Sequence, residues 1–268
     1  MAPKIQWPLV LFSLLAGVGG CAFAFAGIGN ALGEAPGVTF VVTIVAFVFV
    51  CIGGVCSVVH LATPKHAWAV VTHILSFSGI SVELIMLGIA CALMVVFVGC
   101  DVLGLPTIVK LASGLLGALS GVCLAFATGH GYLISSKPTW NTMKLPVAYT
   151  ATSLVGGAFL YLFVASMLGA NGFVMTQISG IALLCCFFNV VALGAYIRHL
   201  GRDIARTNKK LYERGIVACG MVATLVLMAV LYAMAMVSSA PDLAFSLVAF
   251  VGCAVALIGG LALRMLMW

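Results

Sequence analysis

Residues Ser76 to Gly99 read SFSGISVELIMLGIACALMVVFVG. The stretch carries a single charge, at Glu83. A helix needs about 20 apolar residues to cross a hydrocarbon core of about 30 Å, and this run is long enough. Its apolar residues are continuous rather than alternating, which excludes a strand of a membrane β-barrel. Seven further runs qualify in the same way: about 8–28, 38–59, 107–128, 147–168, 173–196, 216–237 and 242–263. The breaks between them hold turn residues such as Gly29-Asn30, Pro106, Pro146, Gly169 and Pro241. The expected fold is all-α, a polytopic membrane bundle of eight transmembrane helices. No linker is long enough for a second domain, so residues 1–268 are expected to form one integral membrane domain. No internal repeat is visible in the sequence.

Composition agrees with that reading. Of 268 residues, 64% are hydrophobic and 7% charged, against roughly 25% charged in soluble domains. Such a chain cannot cover a surface with polar groups. Water-soluble enzyme folds, nucleic-acid modules and disordered tails are therefore excluded. The first run resembles a secretory signal, with one lysine before an apolar stretch. A signal core spans about 7–15 residues, and Pro8 to Ile28 is longer, so a retained first helix is expected.

The loops alternate in charge. One side holds Lys4, Lys65, Lys137, Lys144, Arg198, Arg202, Arg206, Lys209, Lys210, Arg214 and Arg264. The other holds Lys110 with Glu34, Asp101 and Asp242. Excess Lys and Arg mark cytoplasmic loops. Both termini are thus expected on the cytoplasmic side. All four tryptophans (Trp7, Trp68, Trp140, Trp268) and all five histidines (His60, His66, His73, His130, His199) fall on the basic side. The tryptophans read as interfacial anchors. The opposite loops are short and plain.

Glu83 is the most informative residue. A carboxylate inside an apolar run is costly, and it usually faces the bundle interior and serves a function. The sequence places it within the third run, away from either end. His60 closes the preceding run, and Lys65 and His73 lie between the two. A cluster at the basic interface around Glu83 suits quinol oxidation. A quinol loses two electrons and two protons, and its hydroxyls need acceptors such as carboxylate and neutral imidazole. Glu83 is the expected proton acceptor and His60 the hydrogen-bond partner. Lys65 and Trp68 are expected to line the quinol site. His66, His73, His130 and His199 read as solvated interfacial groups. No histidine lies mid-span, so no haem is expected. The ten cysteines include no CxxC pair, so no metal or iron–sulfur site is expected in this chain. They read as small packing residues. Gly117 and Gly121 form a GxxxG pair, which reads as close helix packing within one bundle. The basic sixth loop, Ile197 to Gly215, reads as a topology signal in contact with anionic lipid, or as a docking face for a soluble subunit.

The segment Ser57-Val-Val-His-Leu-Ala-Thr-Pro-Lys-His-Ala-Trp68 resembles the HLGxPxRAW element of the dimethyl-sulfoxide reductase anchor subunit family. Gly79-Ile-Ser-Val-Glu83 is similar to its LSxE element, and Gln6-Trp7-Pro8-Leu9 to its EWPL opening. Pro138-Thr-Trp140, Gly156-Gly157 and Ile258-Gly-Gly260 fall where similar elements occur. The block departs from the family at Ala62, in place of glycine, at His66, in place of arginine, and at Val82, in place of a polar residue. The resemblance implies a three-subunit complex of anaerobic respiration. A molybdopterin catalytic subunit reduces the terminal acceptor. An iron–sulfur subunit supplies its electrons. The anchor subunit oxidises menaquinol and holds no haem or metal. It also implies that His60 and Glu83 bind the quinol. Two other functions fit the composition: a passive anchor without quinol chemistry, and a small-solute transporter. A transporter usually shows broken helices and paired half-repeats, and the sequence shows few such signs.

Overall fold

The computed structural model describes residues 6–59, 78–134, 140–207, 210–238 and 240–267, with side chains left undescribed at 202–207 and at 267. Among the described residues, eight helices are long and apolar enough to cross a membrane. They are α1 (Trp7–Ala31), α2 (Pro36–Val59), α3 (Gly79–Leu103), α4 (Thr107–His130), α5 (Lys144–Met167), α6 (Gly172–Thr207), α7 (Lys210–Val237) and α8 (Leu243–Met267). All regular structure among the described residues is helical. The boundaries follow the turn residues. Pro8 and Pro36 sit in first turns, where a missing N–H costs nothing. Gly104 ends α3 in the left-handed conformation, with φ of 62°.

α1 and α5 are the two buried helices, and the others surround them. α1 packs on α2, α4 and α5, while α5 packs on α1, α6 and α8. The two halves repeat one packing order. In each, the first helix lies against the second and fourth, and the third lies against the fourth. This repetition is invisible in the sequence because packing order constrains residue size at contacts rather than residue identity.

The helices approach one another through glycine, at the buried pair and beyond it. A Cβ at Gly20 in α1 would lie 3.1 Å from the Gly121 carbonyl oxygen in α4. A Cβ at Gly157 in α5 would lie 2.6 Å from the Ala22 nitrogen in α1. A Cβ at Gly259 in α8 would lie 2.5 Å from the Gly220 Cα in α7. Without a hydrophobic driving force between helices in lipid, such close packing supplies the association energy. The Gly117/Gly121 pair is thus spent on α1 inside one chain. Gly121→Leu is expected to separate α1 from α4 and to yield aggregated protein on size exclusion in detergent. A folded, well-dispersed variant would place this pair on an external face instead.

Three expectations need correction. α6 does not end at Tyr196 but continues through Thr207. Its 36 residues span about 54 Å at 1.5 Å each, well beyond the hydrocarbon core. Hydropathy stops where lipid stops, whereas the helical backbone continues into the basic segment. Glu83 lies one turn into α3 rather than far from its ends. Ser78 caps the helix there, accepting from the Ser81 N–H at 3.3 Å. The far end is not plain either. Lys110 is buried and donates to both Asp101 carboxylate oxygens, at 2.6 and 2.8 Å, and to Thr39 Oγ1 at 3.4 Å. Glu34 is buried and accepts from the N–H groups of Ala35 and Asn171, at 3.0 and 3.1 Å. One carboxylate thereby serves the N-termini of both α2 and α6, where helix dipoles favour negative charge.

The first turns of α7 include a π-helical stretch, Ile216–Ala223. Its displaced Gly220 carbonyl accepts from Asn189 Nδ2 of α6 at 2.7 Å and from Thr224 Oγ1 at 2.9 Å. All ten cysteines are free.

Candidate functional site

The start of α3 and the end of α4 meet backbone to backbone. A Cβ at Gly79 would lie 3.1 Å from the Gly131 Cα. Gly131 follows α4 and takes its cap, its N–H donating to the Ala127 carbonyl. A Cβ at Gly131 would lie 2.5 Å from Glu83 Oε1. The Glu83 carboxylate therefore occupies space that only a glycine at 131 leaves open. Gly131 has φ of −57°, an ordinary helical value, so the requirement there is room rather than backbone freedom.

Behind Glu83 lies a buried aromatic layer. The Tyr132 ring meets Trp140 edge-on at 6.2 Å and Tyr149 at 6.1 Å. Burial pushes the Tyr132 phenol well above its ordinary range, and Tyr149 and Glu83 add to the rise. Tyr132 therefore remains a neutral hydrogen-bonding group within electrostatic reach of Glu83. The Arg264 guanidinium stacks over Tyr149 at 4.4 Å, a cation–π geometry. Arg264 is wholly buried. It donates to Ser13 Oγ and to the Ser13 and Gly260 carbonyls, each at 3.0 Å, and to Ser153 Oγ at 3.4 Å. It ties α8 to both central helices.

An apolar cleft of about 410 Å³ opens beside this cluster, between α3 and α4. Val82 and Met86 of α3, Cys123, Phe126 and His130 of α4, and Thr150 of α5 line it. Glu83 lies on the same helix between Val82 and Met86 but outside the lining, its carboxylate standing against Gly131, next in sequence to the lining residue His130. His130 stacks on Phe126, with ring centroids 6.1 Å apart and planes 27° from parallel. A second cleft of about 370 Å³, near the other end, is walled by residues such as Phe47, Met94 and Val102. It contains no titratable side chain among its lining. Size and apolar walls are common to both clefts. The titratable groups distinguish the one beside Glu83, as expected of a binding site.

Of the site residues expected from sequence, the structure describes Glu83, whose carboxylate packs against Gly131 at the end of α4, next to the cleft-lining His130. His60, Lys65 and Trp68 lie outside the described residues, as do His66 and His73. Two expectations are corrected. Trp140 is not an interfacial anchor but is buried against Tyr132. Arg264 is not a surface topology charge but is the cation of the buried layer. A signal for it exists in Gly260-Leu-Ala-Leu-Arg264, where the arginine recurs four residues after a close-packing glycine on one helix face. Tyr132 and Tyr149 had no sequence signal, because aromatic residues at helix ends are ordinary. His130 is exposed, as expected of a solvated group, yet it also lines the cleft.

The family model of the DMSO reductase anchor subunit (DmsC) matches residues 1–265. The chain belongs to that family. It is thus a multi-pass membrane protein, the anchor subunit of a DMSO reductase complex. No match was found among curated proteins. The DmsC match spans all eight helices, and so includes both the His60 segment and the Glu83 cleft.

Proposed function

We propose that this DmsC-family chain binds menaquinol in the α3–α4 cleft and oxidises it. Its two electrons pass to an iron–sulfur subunit, and from there to a molybdopterin catalytic subunit that reduces the terminal acceptor of anaerobic respiration. The observation that carries the reading is the apolar cleft beside a membrane-embedded carboxylate for which Gly131 leaves room. An apolar cleft accepts a ring and isoprenoid tail entering from lipid. The carboxylate supplies what lipid lacks, a proton acceptor. Glu83 takes a proton from one quinol hydroxyl, and His60 hydrogen-bonds the headgroup. Lys65 and Trp68 belong to the rim. The excess of Lys and Arg on this side supports a rim and termini at the cytoplasmic face of the bacterial inner membrane.

The alternative is a passive anchor, and one titration separates the two. A fluorescent quinol analogue added to the detergent-purified complex should bind once per anchor chain. Gly131→Ala should weaken that binding about tenfold, or about 1.4 kcal/mol, because its methyl displaces the Glu83 carboxylate. The flexible carboxylate can swing aside, so assembly should survive. Absence of saturable binding to the native complex would leave the chain as an anchor alone.

A further inference from the structure

We propose that His130 is a second proton acceptor for the quinol, acting beside Glu83. The inference rests on the quinol reading above and adds a residue to it. Oxidation of one quinol releases two electrons and two protons, and breaks both O–H bonds. The electrons leave one at a time to iron–sulfur clusters of the neighbouring subunit. The protons need two acceptors, because loading both on one carboxylate would leave a cationic acid. Glu83 takes one proton and becomes neutral. Among the described residues lining the cleft, His130 is the side chain that carries a basic nitrogen able to take the other. Thr150 Oγ1 already donates to the Pro146 carbonyl at 2.8 Å and has no basic nitrogen.

The placement supports the role. His130 is the last residue of α4 and immediately precedes Gly131, the residue that leaves room for the Glu83 carboxylate. The two acceptors thus stand at the same end of the α3–α4 pair, His130 lining the cleft and Glu83 against the adjoining Gly131. Phe126, one turn earlier, stacks on the imidazole and holds its plane. His130 is also exposed. A proton taken from quinol can therefore leave to water at the membrane surface, resetting the imidazole for the next turnover. The apolar remainder of the cleft offers no comparable exit.

The test uses the complete complex in membranes. Turnover is driven either by a reduced menaquinol analogue or by a reduced viologen dye that feeds the partner subunits directly. His130→Ala should slow quinol-driven turnover by about tenfold or more and leave dye-driven turnover unchanged. Added imidazole should restore part of the loss, since the vacated site opens to water. His130→Phe, which keeps a ring on Phe126, should be slow and insensitive to imidazole. Unchanged quinol turnover in His130→Ala, with Glu83→Gln inactive, would overturn the role of His130 and leave the quinol reading standing. Full turnover in both variants would overturn both. A loss in His130→Ala that imidazole leaves untouched and His130→Phe repairs would make His130 a packing residue and overturn the proposal.

Discussion

Glu83→Gln is expected to abolish quinol-driven reduction while leaving the complex assembled. The substitution keeps size, shape and one carbonyl oxygen, so the contact with Gly131 survives. It removes the ability to take a proton. General-base groups contribute typically about 100- to 10,000-fold. Quinol-driven turnover should therefore fall at least about 100-fold. Dye-driven turnover of the same membranes should remain native, because it bypasses the anchor. The measurement is the ratio of these two rates in one preparation. A ratio equal to that of the native complex would remove Glu83 from the chemistry, whatever its burial. Equal loss of both rates would instead show an assembly defect.

The second large effect is on stability and lies at the other end of the molecule. Asp101→Ala removes the counter-charge of Lys110, whose ammonium is then left among Phe97, Thr39 and the helix backbones. The ring of Phe97 lies 5.0 Å from Nζ, and the lysine side chain is 8% exposed. Breaking a buried pair from one side costs about 3–5 kcal/mol. Asp101 is 21% exposed, so the lower end, about 3 kcal/mol, is expected. Removing both charges, as in Lys110→Met with Asp101→Ala, should recover most of that loss, because no charge remains buried. Thermal unfolding in detergent should rank native and double variant together, with Asp101→Ala well below. If Asp101→Ala unfolds with the native protein, the lysine escapes to the interface and the pair contributes little.

The two ends differ in how far the sequence revealed them. Glu83 stood out because a lone carboxylate in an apolar run has a large and unambiguous cost. The pairing of Lys110 with Asp101 did not stand out, since both lie near loop boundaries, where charges are expected. Arg264 was obscured in the same way. It sits in the last turn of α8 among other basic residues of that side, and only packing shows that it points at Tyr149 instead of water. The cleft was likewise illegible. It is the gap between Val82 and Met86 on α3 and Phe126 and His130 on α4, residues separated by some 40 positions in sequence.

The sequence by itself determined the medium, the helix number and nearly all the helix boundaries. Those depend on local quantities: the length of each apolar run, and the glycine or proline that ends it. It also determined the family and singled out Glu83 as a candidate, because charge in lipid carries a penalty wherever its neighbours stand. Tertiary structure alone decided which helices are central, which charges are buried, and that the Glu83 carboxylate stands against Gly131, beside the cleft that His130 lines. Those depend on how one helix face meets another. In lipid every apolar face is nearly equivalent in transfer energy, so steric fit at positions such as Gly20, Gly121 and Gly131 makes the choice.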